Sequence, residues 1–168
     1  MKKLFFIGIL LFPMLLHSQR VVENTVDPFT GKREIWTSGL LLNSPPYYGS
    51  EQLFETKFAL VNGVISLRFE WVRANWKYEL ESGNLMLVKL NTGEIFELEN
   101  QFDEKVATVP STRTLNLVYH GDISCFGNGL VTHIRIYTTK WYFDFEVKEK
   151  KAKKLLKQYQ LFQKAVNE

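Results

Sequence analysis

The feature that most constrains this chain is a pattern repeated through its middle: short runs of alternating apolar and polar residues, separated by two or three turn-forming residues. Alternation with period two marks strands that bury one face, and short turns between such runs join neighbours antiparallel. The clearest case surrounds Asn62-Gly63. After it, Ile65, Leu67, Phe69 and Trp71 share one face, and Ser66, Arg68 and Glu70 share the other. An Asn-Gly pair favours the two-residue hairpin turn in which both central residues take positive φ. It therefore fixes the register against the run from Phe54 to Val61, with Leu60 facing Ile65 and Phe58 facing Leu67. The same register sets Glu55 opposite Glu70 and Lys57 opposite Arg68. The diagonals Glu55 with Arg68 and Lys57 with Glu70 offer relief, because long side chains reach across a sheet.

Two more hairpins follow the same logic. Asn91-Thr92-Gly93 supplies a three-residue loop whose Gly takes the left-handed position, pairing Val88 with Phe96 and Met86 with Leu98. The run from Val131 to Thr138 closes on Trp141 to Val147 through Thr139-Lys140, so that Ile136 meets Phe143 and Ile134 meets Phe145 on the core face. Its polar face then pairs Arg135 with Asp144, His133 with Glu146 and Tyr137 with Tyr142, an arrangement that a one-residue slip destroys. Further strands are expected over Glu34–Leu42, Lys77–Glu81 and Thr114–His120. After Val147 the period lengthens: Ala152, Leu155, Leu156, Tyr159, Phe162 and Val166 recur every three or four residues. This predicts an amphipathic helix over residues 148–166. Its apolar stripe is expected to fill a gap against the sheet, with the Lys side chains solvated outside rather than laid on a membrane.

The amino-terminal segment stands apart from this pattern. Lys2 and Lys3 precede an apolar run from Leu4 to Leu16, about 13 residues where a spanning helix needs roughly 20, and small Ser18 follows. Residues 1–18 are expected to be a cleaved signal peptide. No Cys follows the run, so the protein is expected to be periplasmic or secreted, without a lipid anchor, and residues 19–168 to form one domain. Without Lys2 and Lys3 the basic count falls from 21 to 19 against 18 acids. Residues 148–168 hold seven Lys against Glu149 and Glu168. The body of the chain is thus mildly acidic, which points away from nucleic acid as a partner.

Catalytic signatures are sparse. Beyond the leader the chain has His120, His133 and the single thiol of Cys125. His120, Asp122, Cys125 and His133 supply metal-ligating atom types, but no pair has the close spacing of a zinc motif, so neither metal nor cofactor is expected. The simpler expectation is that His133 faces Glu146, His120 ends a strand and Cys125 is a small buried hydrophobe. No Gly-x-Ser-x-Gly elbow, glycine-rich phosphate loop or Ser-x-x-Lys signature occurs. A catalytic carboxylate pair has no distinguishing mark among so many acids, and no catalytic residue is assigned.

Asp27-Pro28-Phe29-Thr30-Gly31-Lys32, the segment Leu85–Leu98 turning on Asn91-Thr92-Gly93-Glu94, and the ending from Ile134-Arg135-Ile136-Tyr137-Thr138 to Val147-Lys148-Glu149-Lys150-Lys151-Ala152 resemble small exported bacterial proteins of unknown function. The resemblance implies a compact β-rich domain closed by a helix, and it assigns no site.

Together these readings predict a mainly β protein, an antiparallel β-sandwich or partly open barrel of about eight strands in sequential hairpins, with one carboxy-terminal helix. The expected role is a non-catalytic binding module for a glycan or an envelope protein. A lipocalin-like carrier of an apolar ligand and a carboxylate-based hydrolase are the alternatives. The expected contact surface is the stiff loop Asn43-Ser44-Pro45-Pro46-Tyr47-Tyr48-Gly49-Ser50, where Tyr47 and Tyr48 offer amphipathic faces, extended by Trp76 and Tyr78.

Overall fold

A computed structural model of the protein describes residues 20–43, 53–72, 79–101, 104–105 and 114–168. In chain order the elements are β1 (Val21–Val26), β2 (Arg33–Thr37), β3 (Leu40–Asn43), β4 (Leu53–Val61), β5 (Val64–Val72), β6 (Glu79–Leu80), β7 (Leu85–Leu90), β8 (Ile95–Asn100), β9 (Glu104–Lys105), β10 (Thr114–His120), α1 (Cys125–Asn128), β11 (Val131–Tyr137), β12 (Tyr142–Glu146) and α2 (Glu149–Asn167). Ten strands form one antiparallel sheet in the order β1-β2-β4-β5-β10-β8-β7-β11-β12, with β3 also paired to β4. The short strands β6 and β9 form a second, two-stranded sheet. The expected mainly β architecture with a carboxy-terminal helix is what is observed.

The three hairpins have the registers that their turns dictate. Asn62 and Gly63 take φ of 55° and 79°, and the strands they join pair Leu60 with Ile65 and Phe58 with Leu67. Gly93, at φ 94°, closes β7 on β8 with Val88 opposite Phe96 and Met86 opposite Leu98. In β11–β12, Ile134 faces Phe145, Ile136 faces Phe143, Arg135 faces Asp144 and His133 faces Glu146.

Three features depart from the sequence reading. First, the hairpins are not simply sequential. β10 inserts between β5 and β8, and β11 returns to pair with β7, so β11-β7-β8-β10 is a Greek key built around the second hairpin. Second, the run Glu34–Leu42 is broken. β2 pairs Ile35 with Leu60 and Trp36 with Ala59, but β3 pairs Leu40 with Thr56, so Ser38 and Gly39 together oppose a single residue. That is a β-bulge, which bends the strand so that one run serves two short strands. A side chain at Gly39 would collide with that of Glu55. Third, β1 was not anticipated. It is an exposed edge strand joined to β2 by a tight turn, in which one Asp27 carboxylate oxygen accepts hydrogen bonds from the backbone N–H groups of Phe29 and Thr30, each at 2.7 Å. Of the expected strand Lys77–Glu81, Glu79–Leu80 is strand and residues 77–78 lie outside the described set.

The sheet curls round one core. At one end Phe145 of β12 stacks on Phe54 of β4, with ring centroids 4.7 Å apart, and lies 5.9 Å from Phe69 of β5. Edge strand and central hairpin are therefore packed face to face across the interior. At the other end Phe58 meets Phe126 of α1 and both Tyr159 and Phe162 of α2 at 5.3–5.8 Å. The helix buries Ala152, Leu155, Tyr159 and Phe162 as its spacing predicts, and also Gln158. Gln158 Nε2 donates to Thr37 Oγ1 at 3.0 Å, to the Ser38 carbonyl and to the Thr56 carbonyl at 3.3 Å. The bulge frees a backbone acceptor from the ladder, and the helix meets it with a buried amide. Lys151 donates to the Leu41 carbonyl at 2.7 Å. Among the described residues, no helix is long and apolar enough to cross a membrane.

Candidate functional site

The residues singled out from sequence, Tyr47, Tyr48, Trp76 and Tyr78, lie outside the described residues, as does the leader 1–18. Within the described set, the outward face of the sheet carries two concentrations of chemistry.

The first lies at the β11–β12 hairpin. Antiparallel register brings Arg135 beside Asp144, and the pair is bidentate: Nε and Nη2 donate to the two carboxylate oxygens, each at 2.6 Å. This fork holds the guanidinium 4.3 Å from the Tyr142 ring centroid, with the Tyr137 ring 5.9 Å away. Asp144 thereby holds Arg135 firmly in its charged form. At the turn, the Thr138 hydroxyl accepts from the Trp141 N–H at 3.0 Å, which fixes where the strand resumes. Trp141 and Tyr142 then lie nearly parallel, 12° apart with centroids separated by 6.2 Å, and are 64% and 44% exposed. Beside them a shallow groove of about 290 Å³ runs between Leu87, Lys89, Ile95, His133, Arg135 and Asp144. Exposed rings next to fixed donors and acceptors form an amphipathic platform on an edge strand. Sequence reasoning found the Arg135–Asp144 and Tyr137–Tyr142 pairs but not Trp141, which it treated only as the start of a strand. Its place directly after a two-residue turn was the available signal.

The second concentration lies over β2, β4, β5 and β10. Lys57 Nζ contacts both Glu70 Oε1 at 2.9 Å and Glu55 Oε2 at 3.1 Å. The expected Lys57–Glu70 diagonal is present. The expected Glu55–Arg68 diagonal is not, because Lys57 bridges both carboxylates, and Arg68 instead lies over Trp36 with 5.4 Å between guanidinium and ring centroid. On the intervening strand β4, the residue opposite Trp36 is the small, buried Ala59, and its neighbour across β5 is the small, buried Ser66, which leaves room for that crossing. A pocket of about 220 Å³ opens here, lined by Trp36, Lys57, Arg68, Phe69, Glu70 and Leu117.

Conventional nucleophiles are poorly placed. Cys125 is fully buried, and burial with the nearby Asp122 carboxylate pushes its thiol up to about 12, so it is a packing residue and not a thiolate. His120 ends β10 opposite Glu99, and partial burial followed by the charge of Arg68 lowers its pKa. His133 stands opposite Glu146 on the exposed face. Among the described residues, no three His, Cys, Asp or Glu side chains are grouped to hold a metal ion.

Comparison with known proteins finds no family model, no curated protein and no solved structure that matches the chain.

Proposed function

We propose that the protein is an exported, non-catalytic binding module that contacts a glycan through the platform formed by Trp141, Tyr142 and Arg135. The observation that carries this reading is the pair of near-parallel, exposed rings beside a guanidinium fixed by its carboxylate. Flat apolar rings suit the C–H faces of sugars, and the adjoining Asp144, His133 and Lys89 present acceptors and donors for hydroxyl groups. Rings already held in place lose little entropy on binding. Export rests on the basic-then-apolar segment 1–18, which makes envelope or extracellular glycans the natural ligand class. Tyr47, Tyr48, Trp76 and Tyr78 remain in the proposal as a second aromatic contact.

Calorimetric titration with soluble envelope oligosaccharides tests this. Trp141→Ala is expected to weaken a bound oligosaccharide by about tenfold or more, as for loss of an aromatic anchor, while the melting temperature stays within about 2 °C because the ring is mostly outside the core. Applied to Tyr47→Ala with Tyr48→Ala, the same titration decides whether that loop shares the surface. Equal affinity in wild type and Trp141→Ala, or no binding across the panel together with specific capture of a protein partner through Trp141, would overturn the glycan reading.

A further inference from the structure

Among the described residues, Arg68 is a partly buried charge of the sheet without an ion pair. Its Nε is buried without a hydrogen-bond partner, and no ion pair or hydrogen bond joins its guanidinium to any described residue. The two carboxylates within reach of its hairpin, Glu55 and Glu70, are both engaged by Lys57 at 3.1 and 2.9 Å. What holds Arg68 in place is the Trp36 ring, 5.4 Å away, which fixes the plane of the guanidinium but satisfies none of its hydrogen-bond donors. A half-buried guanidinium in this state has lost part of its hydration and gained no counter-charge among the described residues, which is unfavourable unless something else supplies the acceptor.

The groove beside it is where that acceptor fits. The pocket of about 220 Å³ is walled by Trp36, Phe69 and Leu117, with Arg68 and Lys57 as cationic groups and Glu70 as the one anionic side chain of the lining. Glu70 points its Oε1 at Lys57, which blunts its repulsion of an incoming anion. The planar fork of an arginine matches the geometry of a carboxylate or phosphate, and apolar walls strengthen the contact by excluding water. The volume lies below the usual range for drug-sized ligands, so the occupant is small. We propose that Arg68 and its pocket form a binding site for a small oxyanion, the carboxylate or phosphate group of a ligand, separate from the aromatic platform on β11–β12.

The test is a nuclear magnetic resonance titration of the ¹⁵N-labelled protein, following the Trp36 indole Nε1–H resonance in wild type and variants, and the Arg68 Nε–Hε resonance in wild type, while potassium phosphate or sodium acetate is added, with sodium chloride at matched ionic strength as control. The expected result is a saturable shift with at least one of the two oxyanions and none with chloride, and the anion that saturates names the source. Arg68→Met should weaken saturable binding by about tenfold or more, the loss of a charge-assisted pair, and should melt no lower than wild type, since it removes an unpaired charge. Arg68→Lys, which keeps the charge without the fork, serves as the second variant and should bind with intermediate affinity. Chloride acting as well as the oxyanions, no saturation with either of them, or unchanged affinity in both variants would each overturn the site. None of these readouts involves Trp141, so failure here leaves the glycan reading standing, and the reverse holds.

Discussion

The β4–β5 and β11–β12 hairpins are built by one rule and end in opposite electrostatic states. In each, a short turn and an apolar inner face set the register residue by residue. At β11–β12 the outer face agrees with that register, since Arg135 meets Asp144 directly and closes a two-pronged ion pair. At β4–β5 the outer face disagrees: Glu55 faces Glu70 and Lys57 faces Arg68. The inner face wins because burying rings such as Phe54, Phe58 and Phe69 is worth several kcal/mol, whereas like charges across strands cost only about 0.2–1 kcal/mol per pair. The leftover conflict is then settled by geometry. Lys57 takes both carboxylates and Arg68 is displaced onto Trp36. A local rule broken at one position, in a chain that obeys it elsewhere, marks where function is to be sought.

The comparison is broken most severely from the inside. Phe58 is wedged among Phe126 of α1 and Tyr159 and Phe162 of α2, so Phe58→Ala leaves a cavity that the neighbours cannot close. Its expected cost is about 5 kcal/mol, the upper end for a buried ring, by denaturant unfolding. Phe145 lies on the edge strand β12, which has a neighbour on one side only and can relax inward. Phe145→Ala should cost about 3 kcal/mol. Equal losses would show that the edge hairpin is held as rigidly as the central one.

A smaller change probes the outer face. Lys57→Met removes the ammonium shared by Glu55 and Glu70, and about 1 kcal/mol of stability should go with it near neutral pH. In acid, where ordinary carboxyls are protonated, the attraction disappears while Lys57 still faces the cationic Arg68, so wild type should no longer be the more stable of the two. A gap that persists in acid would assign the role of Lys57 to the packing of its stem rather than to its charge.

How far this architecture is legible in the sequence depends on the range over which each part is specified. Hairpin registers are local: Asn62-Gly63, Asn91-Thr92-Gly93 and the alternation around them suffice. The insertion of β10 between β5 and β8 is decided by which edges of the sheet remain open, and no residue of Thr114–His120 announces its partner. β1 was missed because it is exposed from Val22 to Val26 and shows no apolar face, although Asp27 with Gly31 at φ 68° is a turn signature that would have disclosed it. Gln158 reads as one more polar residue of a Lys-rich helix until the bulge at Ser38-Gly39 gives its amide a carbonyl to meet. The Arg68–Trp36 contact joins β5 to β2 across an intervening strand, farther than pairwise register arguments reach.

The finest distinction between the two hairpins lies in how a free guanidinium acts on its surroundings. Arg135 is neutralised by Asp144, but Arg68 has no such partner among the described residues, and its charge reaches His120. Partial burial is the larger cause and Arg68 the second, and both lower the pKa of His120 from its ordinary 6.5. Because the folded state then takes up its proton at lower pH than the unfolded state, this histidine's contribution is fully present above about pH 6.5 and is lost as pH falls from there to the folded pKa. The group is only partly buried, so solvent screens the effect to a shallow slope. Arg68→Met should remove the electrostatic cause and leave the burial, moving the His120 titration, read from its ring Cε1–H resonance, part of the way back toward 6.5. Glu99, opposite His120 in the ladder, is untouched by this change and serves as the internal constant. A His120 titration indifferent to Arg68→Met would mean that the guanidinium charge is quenched by solvent before it crosses the sheet, and the two hairpins would then differ in side-chain geometry and not in the field they project.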